Sequence, residues 1–316
     1  MTYIILLFGF LLLIKGADFF VEGSSSIAKK FNIPSLIIGL TIVAFGTSAP
    51  EAAVSITAAI RGQNEMAIAN VVGSNIFNIL FVVGVTAMIK PIYVQKSTIL
   101  KEFPFLLLSS IVLAILAYDV WFQGYNENIL TRADGLIFIA LFIIFIYYLI
   151  DMAINSNDET SEENYKVMPL SKSILLSIGG LLGIIIGGNF VVNSASDIAM
   201  SLGMSENLVG LTIVAIGTSL PELATSIVAA KKGESDIAIG NAVGSNIFNI
   251  LFVLGVSSCI SNVPVKAEAF TDMFVMIVST IIVYVLAISN RKINKVEGMI
   301  ISLLYIAYFV FIIYRQ

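Results

Sequence analysis

Apolar residues run almost unbroken along this chain, and polar ones interrupt them at regular intervals. A helix needs about 20 apolar residues to cross the hydrocarbon core of a bilayer. Stretches of that kind lie near 2–23, 35–60, 66–89, 102–121, 132–151, 172–193, 207–230, 236–260, 270–289 and 296–314. The pattern predicts an all-α membrane protein with ten transmembrane helices. The first stretch has no basic leader and no clean small-residue cleavage site, so it reads as a span and not as a signal peptide. Residues 155–169, NSNDETSEENYKVMP, form the one long polar stretch. They are acidic and rich in Ser and Asn, a composition that cannot bury a core and marks a linker.

The pattern also repeats. Adding 171 to a residue number carries 37–89 onto 208–260 without a gap, with roughly two thirds of positions identical. GLTIVAFGTSAPE faces GLTIVAIGTSLPE, and VGSNIFNILFVVGV faces VGSNIFNILFVLGV. The register reaches back to the first span, where GADFFVEGSSSIA faces GGNFVVNSASDIA. Five spans separate the copies, an odd number, so they are expected to cross the membrane in opposite directions. The chain then divides into a first five-helix repeat at 1–151, a cytoplasmic acidic linker at 152–171 and an inverted five-helix repeat at 172–316. Inverted repeats of this kind are common in secondary transporters, with the substrate site near the bilayer midplane between the copies. The best-matched segments are the polar, helix-breaking ones, where fold stability alone would let residue identity drift.

Those segments carry the candidate chemistry. In a helix Ala44, Thr47, Ser48 and Glu51 share one face, and Ala215, Thr218, Ser219 and Glu222 repeat the set. Pro50 and Pro221 lack an N–H, which is expected to leave the carbonyls of Gly46 and Gly217 without helical partners. Spans three and eight add Ser74 with Asn78 and Ser245 with Asn249, each pair one turn apart. Neighbouring Asn75 and Asn246 project elsewhere and read as braces for broken helices. Gly39, Gly73 and Gly84 fit close helix packing. Packing gives no reason for Glu51 and Glu222, because a charge at the bilayer centre costs about 2.5–3.5 kcal/mol on insertion scales. Carboxylate, hydroxyl, amide and carbonyl oxygens suit a hard cation, and irregular geometry suits Ca²⁺ better than Mg²⁺. Two carboxylates balance one Ca²⁺ or two Na⁺.

Composition narrows the classes. The 316 residues are 58% hydrophobic and 12% charged, with mean hydropathy +0.98, so lipid is the solvent of most of the chain. His is absent and Cys occurs once, at Cys259, which removes disulfides, zinc or haem ligation and His-based catalysis. No nucleophile–base arrangement points to an enzyme, and a net charge of −4 gives no reason to expect nucleic acid. No cofactor and no protein partner is indicated. Loops after odd-numbered spans hold twelve Lys and Arg against four on the other side. That bias puts the linker in the cytoplasm and both termini outside the cell membrane. Asp18 and Glu22, near the cytoplasmic end of span one, read as interfacial residues or as an ion entrance.

GTSAPE with VGSNIFN, and GTSLPE with VGSNIFN, resemble the paired motifs of the sodium/calcium exchangers of the calcium/cation antiporter superfamily, over nearly the whole chain. The resemblance implies ion ligands at Ala44 (carbonyl), Thr47, Ser48, Glu51, Ser74, Asn78, Ala215 (carbonyl), Thr218, Ser219, Glu222, Ser245 and Asn249. It implies Na⁺ and Ca²⁺ as substrates, three Na⁺ per Ca²⁺, and spans one and six sliding over a core of eight. Amides at Asn78 and Asn249, where some relatives carry an acid, argue against K⁺ co-transport. The short linker leaves no room for the regulatory insertion of eukaryotic members. A proton/calcium antiporter and, less well, a cation channel fit the same polar residues.

Overall fold

The computed structural model describes residues 2–62, 65–122, 124, 126–155, 168–203 and 215–315. Among them the fold is helical apart from two short strand pairs. Eight helices are long and apolar enough to cross a membrane: α1 (Thr2–Lys30), α4 (Met66–Ile89), α5 (Thr98–Ala117), α6 (Arg132–Asn155), α7 (Leu170–Ser201), α10 (Ser235–Ile260), α11 (Ala267–Asn290) and α12 (Lys295–Arg315). A bent pair, α2 (Ser35–Thr47) followed by α3 (Ala49–Ile60) at 49°, is also long and apolar enough when taken as one span. Of the expected span at 207–230, residues 207–214 lie outside the described residues. The remainder forms a turn, α8 (Ala215–Gly217), and α9 (Leu220–Lys232). Most of the expected linker, 156–167, also lies outside them.

Several boundaries differ from the hydropathy reading. Span four runs over 98–117 and not 102–121, because Tyr118 leaves helical geometry at φ −96° and ψ 48°. Its first turn is a wide π-helical one, Thr98–Glu102, which takes in polar residues ahead of the apolar run. α1 and α7 extend past their apolar stretches, to Lys30 and Ser201.

Burial separates centre from periphery. In α4 and α10, 72% and 78% of the apolar stretch is buried, against 17–39% in the other long helices. The motif-bearing helices therefore form the core, and the rest present Leu, Ile and Phe outward, as a protein dissolved in lipid must. α10 lies so close to α2 that a Cβ on Gly244 would sit 2.8 Å from Leu40 Cα.

α1 and α7 form a second unit. Gly9, Gly16 and Gly23 recur every seven residues on α1 and meet Gly187, Gly180 and Ser173 in reverse order, so the two helices run antiparallel. Backbone touches backbone along this seam; a Cβ on Gly180 would fall 2.4 Å from the Phe20 nitrogen. Two strand pairs clip distant loops together, Ile92–Tyr93 with Lys292–Ile293 and Ile129–Leu130 with Val263–Pro264.

Candidate functional site

The two GTS-x-PE segments break their helices in the same way. α2 ends at Thr47, Ser48 sits at φ −82° and ψ 6°, and α3 starts at Ala49. Ser219, between α8 and α9, takes nearly the same values, φ −93° and ψ 7°. This bridge region is sparsely populated and recurs at functional sites. Each Pro falls in the first turn of the new helix, where its missing N–H breaks no bond. The expectation of a free Gly46 carbonyl is corrected here. Backbone N–H groups at the Ser48 cap are taken up by the carbonyls of Ala44 and Gly46.

Placing each Glu three residues into a new helix aims its carboxylate near a helix N-terminus, where the peptide dipoles favour negative charge. Glu51 and Glu222 are both fully buried. The hydroxyl that reaches each one comes from the other motif. Ser48 Oγ–H donates to Glu222 Oε1 at 2.8 Å, and Ser219 Oγ–H donates to Glu51 Oε1 at 2.9 Å. Ser245 adds contacts of 3.4 Å to Glu222 Oε1 and 3.3 Å to the Ala44 carbonyl. The segments that share one sequence pattern thus interlock into one cluster.

What the cluster lacks is donors. Glu51 Oε2, Glu222 Oε2, Asn78 Oδ1, Asn249 Oδ1 and Ser74 Oγ are buried without a hydrogen-bond partner. Among the described residues neither glutamate has a salt-bridge partner. A buried acceptor without a donor costs about 1–3 kcal/mol, and an unpaired buried carboxylate more. Carboxylate, amide and hydroxyl oxygens are the ligand types a hard cation takes.

Of the twelve expected residues, these bonds join Ala44, Ser48, Glu222 and Ser245 to one another and Glu51 to Ser219, while Ser74, Asn78 and Asn249 each carry one of the partnerless oxygens. Thr47 Oγ1 donates to Asn241 Oδ1 at 3.0 Å and touches the Val43 and Ala44 carbonyls. Thr218 is half-buried in the turn after α8, and Ala215 opens α8.

Two residues outside the expected set hold the glutamate segments in place. Asn70 Nδ2 donates to the Glu51 carbonyl at 3.3 Å and to Ser55 Oγ at 2.9 Å. Asn241 Nδ2 does the same to the Glu222 carbonyl at 3.2 Å and to Ser226 Oγ at 2.9 Å. Their signal was present in the sequence, since they are an identical polar pair at the 171-residue offset. Asp18 and Glu22 are engaged elsewhere, at 2.6 Å and 3.7 Å from Lys232 Nζ.

Comparison with known proteins fits this geometry. The family model described as sodium/calcium exchanger protein matches residues 1–150 and 172–314. The chain belongs to that family. The putative antiporter CaxA of Alkalimonas amylolytica is 42% identical, with 96% of each chain covered. The sodium/calcium exchanger MaX1 of Methanosarcina acetivorans is 31% identical over 99% of each. The structure of the sodium-calcium exchanger NCX_Mj superposes with a TM-score of 0.84 at 33% identity, covering 98% of each chain. Membership makes this a multi-pass membrane transporter of the cation/Ca²⁺ antiporter kind, in a family whose ions are Na⁺ and Ca²⁺.

Proposed function

We propose that the protein exchanges Na⁺ for Ca²⁺ across the cell membrane by alternating access, with Glu51 and Glu222 at the centre of the ion cage. The observation that carries this reading is the pair of buried carboxylates, cross-bonded by Ser48 and Ser219 and each left with one oxygen that has no donor. Ca²⁺ takes six to eight oxygens at about 2.3–2.6 Å. Carboxylate oxygens of Glu51 and Glu222, amide oxygens of Asn78 and Asn249, hydroxyls of Thr47, Ser48, Ser74, Thr218, Ser219 and Ser245 and the carbonyls of Ala44 and Ala215 supply more than enough. Na⁺ is also a hard cation, so the two ions compete for one set of oxygens. The empty cage, doubly negative, crosses slowly, while either loaded form crosses readily, and that difference enforces exchange. The names of MaX1 and NCX_Mj as sodium/calcium exchangers support the choice of ions.

In this reading the chain has ten spans in two inverted five-helix repeats, the loops rich in Lys and Arg face the cytoplasm, and both termini lie outside. The antiparallel pairing of α1 with α7 supports the inversion. Exchange of three Na⁺ for one Ca²⁺ moves one net charge per cycle, which a membrane potential drives with about 2.3 kcal/mol per 100 mV.

The test is radiolabelled Ca²⁺ uptake into proteoliposomes loaded with Na⁺ and diluted into Na⁺-free buffer. Uptake that requires internal Na⁺, and that grows when a K⁺–valinomycin potential makes the inside positive, because three Na⁺ leaving for one Ca²⁺ entering carry one net positive charge outward, fixes both exchange and its charge sign. Uptake driven by a pH gradient instead reassigns the protein as a proton/Ca²⁺ antiporter. Uptake without any counter-ion makes it a channel.

A further inference from the structure

Four asparagines lie side by side where α4 and α10 cross: Asn75, Asn78, Asn246 and Asn249, all fully buried. Asn78 and Asn249 were expected to offer oxygens to a cation. A side-chain amide has two ends of nearly equal size, however, and only the oxygen attracts a cation; the NH₂ end repels it. With no bulk water at these positions, something in the protein must decide which end points into the cage.

The hydrogen bonds supply the decision. Asn246 Nδ2 donates to the main-chain carbonyl of Asn75 at 3.0 Å, and Asn75 Nδ2 donates to the main-chain carbonyl of Asn246 at 3.2 Å. A main-chain carbonyl can only accept, so each of these amides has a single satisfactory orientation. Their oxygens are thereby turned towards the other pair. Asn78 Nδ2 donates to Asn246 Oδ1 at 3.1 Å, and Asn249 Nδ2 donates to Asn75 Oδ1 at 3.1 Å. The ends left over are Asn78 Oδ1 and Asn249 Oδ1, both without a partner. Polarity passes from two backbone carbonyls, through Asn75 and Asn246, to the two amide oxygens that lack donors.

We infer that Asn75 and Asn246 are positioning residues that hold the amides of Asn249 and Asn78 with oxygen, and not nitrogen, towards the transported cation. The arrangement is crosswise, so the residue from each half of the chain orients the ligand from the other. It rests on the reading of Asn78 and Asn249 as cation ligands, and it goes beyond bracing of helices. A brace would work with either end of the amides pointing inward.

A carboxylate has no wrong end, and this separates orientation from bracing. The half-saturating Ca²⁺ concentration is measured by radiolabelled uptake on purified, reconstituted wild type, Asn246→Leu, Asn78→Asp and the double variant. Alone, Asn246→Leu should raise half-saturation about tenfold, the order expected when a buried polar group loses its fixed partner. In the Asn78→Asp background the same substitution should change it by less than about twofold, or improve it, because Asp at 78 needs no orienting and its oxygen would face Asn246 Oδ1 as a second acceptor. An equal cost in both backgrounds would overturn the inference and leave a purely structural role. Should Asn246→Leu fail to yield folded protein, the counterpart cycle of Asn75→Leu with Asn249→Asp reads the same quantity at the other ligand. Asn78→Ala and Asn249→Ala test the underlying reading by themselves. If neither alters half-saturation, the amides are not ligands, and that reading and this inference fall together.

Discussion

Glu51→Gln is the perturbation that the site makes most informative. It keeps the volume of the side chain, and the amide oxygen can still accept the Ser219 hydroxyl that Glu51 Oε1 accepts at 2.9 Å. That bond fixes the amide nitrogen where Oε2 now has no partner. The variant therefore removes one charge and turns an N–H donor towards the cation, without opening a cavity. At a separation of about 4 Å and an effective dielectric of about 20, one carboxylate attracts Na⁺ by about 4 kcal/mol and Ca²⁺ by about 8 kcal/mol. Rearrangement of the remaining oxygens around the ion returns part of this, in proportion to the ion's charge. If about half is returned, Ca²⁺ loses about 4 kcal/mol and Na⁺ about 2 kcal/mol, or roughly a thousandfold against thirtyfold in affinity. The expected signature is thus a change in ion preference as well as a loss of binding. Calorimetric titration of Ca²⁺ and of Na⁺ into purified wild type and variant measures both. Equal losses for the two ions, or a Ca²⁺ loss below about tenfold, would refute the argument that the glutamate charge faces the ion.

The remaining predictions concern the surroundings of the cage. Ser48→Ala removes the 2.8 Å bond to Glu222 and should weaken Ca²⁺ binding about tenfold, with less than additive cost in combination with Glu222→Gln; full additivity in calorimetry would show that the two do not act together. Gly180→Leu drives a side chain into the backbone of Phe20, 2.4 Å from where its Cβ would lie, and should cost about 1–3 kcal/mol and abolish exchange. Thermal unfolding together with vesicle uptake checks this, and a variant with native melting and activity would contradict the seam. Asp18→Asn with Glu22→Gln should leave half-saturating Ca²⁺ unchanged, because Lys232 already engages both carboxylates. A several-fold rise measured from the cytoplasmic side would make them an ion entrance.

How much of this was legible in the sequence depends on what the information rests on. The helices were, because a bilayer imposes a length on every apolar run and α4, α6, α10, α11 and α12 follow theirs within a few residues. The glutamates were, since no packing argument accounts for a buried charge, and the 171-residue offset pairs every polar residue of one motif with its counterpart. Hydrogen-bond partners were not. Nothing in the spacing says that Ser48 reaches Glu222 and not Glu51, three residues away on its own segment, since that depends on how the two motifs dock. The Gly46 carbonyl shows the same limit, since a proline inside a continuous helix would leave it without a partner. The chain instead stops at Thr47, turns at Ser48 and starts again, so Pro50 falls where it is tolerated. Asn70 and Asn241 escaped notice for a related reason. Their targets, the glutamate carbonyls and the hydroxyls of Ser55 and Ser226, are set by how neighbouring helices dock, which a sequence does not display. The seven-residue rhythm of Gly9, Gly16 and Gly23 is visible in the chain, but its partner helix, about 170 residues away, emerges only from the fold.

The central claim is that the transported cation sits between Glu51 and Glu222. Long-wavelength anomalous diffraction from crystals soaked in Ca²⁺ locates the ion directly. The account predicts a single strong peak about 2.3–2.6 Å from a carboxylate oxygen of each glutamate, lost in crystals of Glu51→Gln soaked at the same concentration. A Ca²⁺ peak that touches neither carboxylate, or one of unchanged occupancy in the variant, would contradict it.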